Sequence, residues 1–290
     1  MTGSPIAKVS DTAFWVAHYR GLEGERGDAL FQDPLAALLA GERGRKIAQA
    51  IPGGVFTSWI VVLRTCIIDD FIQRAIADGV DTILNLGAGL DTRPYRMDLP
   101  GTLTWIEVDT ADIIAFKEEQ LRNEVPRCQL TRLRRDLAIK DEREPVLAKV
   151  NSQSKKFLVL TEGVVPYLSN DDVAALAEEL KSLDRVAYWV VDYFSAAAVK
   201  RRPRQLQRKM RNAPFKFAPE DWTAFFETHG WRTQELRYFA DEAVQRKRPL
   251  KLPRWLRLIF AIHSIVRPEQ REAFRTLAGF ALLEPTVSDA

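Results

Sequence analysis

The chain has 290 residues, 46% of them hydrophobic and 28% charged, and a net charge of only +3. That is the balance of an ordinary soluble protein built as one large α/β domain or two small ones. No run approaches the roughly 18 uninterrupted apolar residues of a membrane helix. The opening MTGSPIAKVSDTAF lacks the basic start and apolar stretch of a secretory leader, so a cytoplasmic location is expected. Two cysteines (Cys66, Cys128) and three scattered histidines (His18, His229, His263) make no disulfide framework and no metal-ligand spacing.

Residues 11–80 read as helical: FWVAHYRGL, DPLAALLAG and WIVVLRTCIIDDFIQRAIADG repeat apolar residues every three or four positions, broken by Gly and Pro. From residue 82 short β-rich runs take over, at 82–87, 103–109, 129–136, 156–163 and 186–194, with helical patterns at 111–124 and 171–183 between them. Alternation of this kind predicts right-handed βαβ units and a mostly parallel sheet. KFLVLTEG and VAYWVVDYF are apolar on both faces, as central strands covered by helices must be. After Phe194 the rhythm breaks into a basic, proline-bearing stretch to 219. EDWTAFFETHGW then reads as a helix, two last strands are expected at 231–239 and 278–285, and helical character lies between them around PRWLRLIFAIHSIV.

The strand ends carry the chemistry. Asn85-Leu86-Gly87-Ala88-Gly89 follows the first strand, where glycines let a ligand approach the backbone. The dinucleotide fingerprint asks for a third small residue; Thr92, followed by Arg93 and Pro94, stands there instead, which disfavours a nicotinamide-dependent oxidoreductase. Glu107 and Asp109 end the second strand, about 20 residues on, where a carboxylate binds a ribose diol. Arg135-Asp136-Leu137 end the third strand, and Thr161-Glu162-Gly163, close to Tyr167, end the fourth. Any one of these is also explained as a tight turn, an exposed acid or a cap. Coincidence at all four is rarer, and a nucleoside without phosphates, with S-adenosylmethionine (SAM) the common candidate, fits the set.

NLGAGLDTRPYR (85–96), WIEVD (105–109), RDL (135–137), LTEGVVPYLS (160–169) and FFETHGW (225–231) resemble the leucine carboxyl methyltransferase family, along nearly the whole chain from about residue 12 to 284. That family includes bacterial O-methyltransferases associated with polyketide-type metabolism. The resemblance implies an α/β, class I SAM-dependent methyltransferase fold: a Rossmann-like, seven-stranded, mostly parallel sheet with its last strand antiparallel. It implies a helical lid over 1–80 and a SAM-binding core over 81–290, with acceptor-site insertions at about 195–220 and 240–276. By the same resemblance Gly87, Ala88 and Gly89, with Asp91 beside them, approach the methionine part of SAM. Asp109 holds its ribose, Asp136 and Leu137 meet its adenine, Glu162 lies near its sulfonium, and Tyr167 matches the aromatic that ends the EGVxxYL block, which makes Glu162 and Tyr167 the candidate catalytic residues. Arg64, in LRTCIIDDF, matches an arginine that pairs with the SAM carboxylate, and Arg20, ahead of LFQDP, a further basic contact. Read without the family, Arg64 is a helix-surface arginine.

Methyl transfer needs neither a metal nor a covalent intermediate, only an in-line acceptor and exclusion of water. A carboxylate acceptor, with pKa near ~4, is already ionised, whereas a phenol near ~10 needs a base. His18 and His229 lie outside the strand-end motifs, which favours a carboxylic acid or an acidic hydroxyl on a small molecule. KRRPRQLQRKMR (200–211) carries seven basic residues and no acidic one. It reads as a solvated helix face, or as a surface for an acidic acceptor, an acidic carrier protein or RNA. No aromatic interleaves with these charges, which argues against stacking on single-stranded nucleic acid.

Overall fold

The computed structural model describes residues 6–200, 204–250 and 268–286. Strands β1 (Thr82–Leu86), β2 (Thr104–Asp109), β3 (Gln129–Arg134), β4 (Phe157–Thr161), β5 (Val186–Phe194), β6 (Trp231–Tyr238) and β7 (Ala278–Pro285) form one sheet in the order β3-β2-β1-β4-β5-β7-β6. The first five pair in parallel, and β7 runs antiparallel to both neighbours. The order reverses between β1 and β4, which opens a crevice at their C-terminal ends.

Period-two alternation sorts the apolar side chains onto the two faces. Leu84, Leu86, Phe157, Val159, Trp189 and Val191 point to one face. There they meet helices α6 (Lys140–Gln153), α7 (Asn170–Lys181) and α10 (Trp222–Thr228). Ile83, Trp105, Leu158, Leu160 and Val190 point to the other face and meet α3 (Gly54–Ala77) and α11 (Phe239–Gln245). Burying both faces of a central strand is worth about 1.5–3 kcal/mol per large side chain, which holds the strand ends in place beneath the crevice.

The remaining helices are α1 (Asp11–Gly24), α2 (Pro34–Ala50), α4 (Arg93–Arg96), α5 (Ala111–Gln120), α8 (Ala196–Lys200), α9 (Arg204–Lys209) and α12 (Pro268–Arg275). The helical segment expected over 1–80 divides in two. α1 and α2 share a separate apolar cluster with Phe14, Trp15, Leu39 and Ile47. α3 is a layer of the core itself, because Leu63, Ile67, Phe71 and Ile72 are buried against the sheet. α6 was not legible as a helix: it is polar, holds Pro145, and buries only Val146, Leu147 and Val150. In the expected 240–276 insertion, α11 buries Phe239 and Ala243 against α3 and β7, and α12 closes the segment. The helical pattern at 253–266 and the basic residues 201–203 lie outside the described residues. No helix among the described residues is long and apolar enough to cross a membrane.

Candidate active site

The turn after β1 is built for close approach. Gly87 and Gly89 hold φ of +71° and +49°, in the left-handed region that glycine tolerates. A Cβ on Gly87 would also lie 2.5 Å from Val164 Cγ2. The Gly87 and Ala88 N–H groups donate to the Val108 carbonyl, 2.8 and 3.2 Å away, which pins the turn to β2. All three turn residues line a cavity of about 1940 Å³ that opens over the strand ends.

Asp109, at the tip of β2, lines this cavity and braces its floor. Its Oδ2 accepts from the Gly89 N–H at 2.7 Å and its Oδ1 from the Thr110 N–H at 2.7 Å. Burial raises its pKa above the usual carboxylate value, against those hydrogen bonds. Glu107, one pleat deeper, does not compete for the same role. It is fully buried between Lys117 Nζ at 2.7 Å and Arg132 Nε at 2.9 Å.

Arg93, which sequence reasoning treated only as a departure from the glycine fingerprint, is the hub of the site. Its fully buried guanidinium reaches Asp69 at 2.7 Å, Asp91 at 3.0 Å and Glu162 at 2.7 Å. Asp91 also accepts from Asn85 Nδ2 at 2.9 Å and from the Arg93 N–H at 3.0 Å. Burial penalises the Asp91 and Glu162 carboxylates. Arg93 and Arg20 nonetheless hold Asp91 well below the usual range, and Arg93 and Arg64 hold Glu162 below it. Burial likewise opposes charge on Arg93, and its three acidic neighbours outweigh it and raise its pKa. The signal for this hub was the GLDTR motif, where a cation follows an acid at two-residue spacing.

Among the described residues, five buried polar atoms of cavity-lining residues have no hydrogen-bond partner: Ser10 Oγ and Trp15 Nε1 on α1 and its N-cap, and, grouped beside the ends of β1 and β4, Asn85 Oδ1, Arg64 Nε and Glu162 Oε1. Arg64 Nη2 lies 2.8 Å from Glu162 Oε1 as an ion pair, outside hydrogen-bond alignment. Leaving such atoms unmet costs about 1–3 kcal/mol each, so their convergence on one cavity marks a polar ligand subsite. An amino-acid headgroup, with one anionic and one cationic end, complements the set.

The other expected residues divide. Arg20 lines the cavity but is already committed, with Nε on Asp33 at 3.0 Å and Nη2 on the Leu90 carbonyl. Asp33 in turn accepts from Thr92 Oγ1 at 2.6 Å and caps α2 through the Ala36 N–H at 3.0 Å. The residue standing in the third-glycine position is thus tied to the cap of α2. Asp136 is exposed on the cavity rim, accepting from the Ala138 N–H at 3.0 Å. Leu137 is not brought to the cavity: its side chain packs on the sheet core, and Ala138 lines the wall in its place. Tyr167 does line it, edge-on to Phe215 at 5.2 Å, in a turn whose Pro166 carbonyl accepts the Lys216 N–H at 2.8 Å. Arg208 and Arg211 of the basic stretch are exposed and do not line the cavity.

Residues 13–181 match the family model for leucine carboxyl methyltransferase. A Frankia alni protein provisionally named S-adenosyl-L-methionine-dependent methyltransferase is 31% identical, over 83% of this chain and 88% of its own. A Streptomyces coelicolor protein of the same provisional name is 30% identical, over 82% and 88%. Among solved structures, a duf574 family protein from Streptomyces avermitilis superposes with a TM-score of 0.54 at 12% identity, covering 94% of this chain and 97% of its own. A protein from Thermobifida fusca, provisionally described as a methyltransferase, reaches 0.53 at 17% identity, covering 86% and 92%. At these identities the two structures bear on the fold alone, and the fold they share with this chain is the class I methyltransferase sheet.

Proposed function

The chain belongs to the leucine carboxyl methyltransferase family and is a SAM-dependent methyltransferase, and we propose that it methylates an acidic oxygen, a carboxylate or acidic hydroxyl, of a small molecule. The observation that carries the cofactor side is the convergence of Asn85 Oδ1, Arg64 Nε and Glu162 Oε1 on one cavity. SAM, when bound, supplies an amino-acid headgroup and a sulfonium methyl group, whose transfer forms an oxygen–carbon bond as the carbon–sulfur bond breaks and its electron pair passes to sulfur.

Arg64 would take the headgroup carboxylate, and Glu162 with Asn85 its ammonium group. Arg93 and Arg64 keep Glu162 ionised for that task. Asp109 retains acceptor lone pairs beyond those used by Gly89 and Thr110, enough for a ribose diol. Asp136, at the rim, would meet the adenine. Trp15 and Val16 of α1 line the cavity and would help to shield the reacting atoms from water. Tyr167, held against Phe215, orients the acceptor as part of the wall.

No histidine is among the described residues that line the cavity. An acceptor with pKa near ~4 arrives ionised and needs no base, whereas one near ~10 does. The test is transfer of a tritiated methyl group from SAM to a panel of carboxylic acids and phenols, followed by mild alkaline hydrolysis. Label released as methanol identifies an ester and supports the reading. Base-stable label on neutral phenols alone would replace it with ether formation.

A further inference from the structure

We infer that the acceptor is an amphiphile: an acid with an extended alkyl body, its acidic oxygen at the Glu162–Tyr167 end of the cavity and its chain running out between the first turn of α3 and α12. The inference rests on the reading of Arg64, Glu162 and Asp109 as the cofactor side of that cavity.

The cavity, at about 1940 Å³, is far larger than one nucleoside requires. Pockets for single drug-sized ligands run to roughly 300–1,000 Å³. The polar groups cluster over β1, β2 and the end of β4. Beyond them, over β5 and β7, the lining turns apolar: Ile60, Phe194, Val199, Met210, Phe215 and Leu277. Arg20 and Arg64, the cations that are not exposed among the described lining residues, are already paired with Asp33 and Glu162. Lys8, Lys216 and Arg271 stand exposed at its margin.

The apolar lining continues to the surface. Nine large hydrophobic side chains are exposed among the described residues, and Val9, Val55, Phe56 and Phe274 of that set line this one cavity. Exposed apolar residues scattered singly need no explanation, but a group continuous with a chamber marks a path for apolar matter. A compact polar acid would leave this chamber wet. An alkyl chain fills it, and each buried methylene contributes about 0.8 kcal/mol, a three- to fourfold gain in affinity.

The test is calorimetric titration of straight-chain carboxylates, from butanoate to tetradecanoate and each below its micelle concentration, into protein saturated with S-adenosylhomocysteine. The expected result is a dissociation constant that falls about three- to fourfold per added methylene until the chamber is filled. Val55→Glu and Phe274→Glu place charge in the chain's path and should flatten that dependence while leaving S-adenosylhomocysteine affinity intact. Val55 lies in the first turn of α3, where an added acid is favoured by the helix dipole, so this variant keeps its fold. A flat series with S-adenosylhomocysteine bound, or a slope that survives both variants, would overturn the inference and leave the cofactor reading standing. Failure of S-adenosylhomocysteine to bind at all would overturn the cofactor reading and the inference with it.

Discussion

Glu162 sits between Arg93 Nη1 at 2.7 Å and Arg64 Nη2 at 2.8 Å, while Asp192, on the next strand, accepts the Gly163 N–H at 2.8 Å and is buried. Their titrations therefore diverge. Glu162 is held below its usual pKa, so its stabilising contribution is complete above about pH 4.3 and is lost as pH falls through the lower folded value. Burial pushes Asp192 up to about 7, from 3.8, so its ionisation opposes folding as pH rises between those values. Asp192→Asn removes that penalty and keeps an oxygen for Gly163. Urea unfolding at pH 5 and pH 8 should show the variant gaining, relative to wild type, roughly 2–3 kcal/mol between the two conditions. An equal difference at both would mean that Asp192 titrates as an ordinary carboxylate. Asp109→Asn addresses the ribose. The amide can accept from Gly89 or Thr110 but sets an NH₂ against the other donor, and one diol contact is lost. S-adenosylhomocysteine should bind with about 1–3 kcal/mol less free energy, and an analogue lacking the ribose hydroxyls should lose less. Equal losses by calorimetry would remove Asp109 from the ribose; Glu107 does not inherit the role, since Lys117 and Arg132 already saturate it.

At the level of elements, the site depends on how α1 is fastened over the turn after β1. Arg20 is the clasp: it joins α1 to the Leu90 carbonyl and to Asp33, the residue that caps α2 and holds Thr92. Arg20→Ala should loosen the α1–α2 pair without unfolding the sheet, because the apolar clusters on the two sheet faces do not include it. Hydrogen exchange should quicken in 11–24 and 34–50 and stay unchanged in β1 and β4. Protection lost equally in the sheet would show that α1 and the core unfold as one unit. The family resemblance implied a SAM contact for Arg20; it lines the cavity, and its guanidinium is also bonded to Asp33 and the Leu90 carbonyl. Its place ahead of LFQDP marks the arginine, but the groups that fasten it, a carboxylate 13 residues on and a backbone carbonyl 70 residues on, are set by the fold.

For the whole molecule, ligand binding and folding are linked. S-adenosylhomocysteine at about 100 times its dissociation constant should add roughly 2.7 kcal/mol of stability. In a chain of this size that is a rise of about 5–10 °C in Tm. NAD should produce none, since Thr92 and Arg93 fill the helix start where a pyrophosphate would sit with buried side chains. Stabilisation by NAD alone in a thermal-shift assay would reverse that assignment.

All seven strands were legible because each is short and bounded by turn residues, with β4, β5 and β7 also largely apolar, and the glycine turn was legible because positive φ leaves few residue choices. The sequence by itself thereby determined the parallel core, its strand ends and the acids placed on them, all of which follow from local periodicity and backbone sterics. α6 escaped because its helix is held by a few buried contacts on an otherwise polar segment, which leaves little periodicity to read. Only the tertiary structure decided which charges pair. Arg93 meets Asp69 from α3 and Glu162 from the end of β4, Leu137 turns inward to the core, and α3 joins the sheet while α1 and α2 stand over it. Those outcomes rest on contacts between residues far apart in the chain, and desolvation in a shared interior makes each one strong.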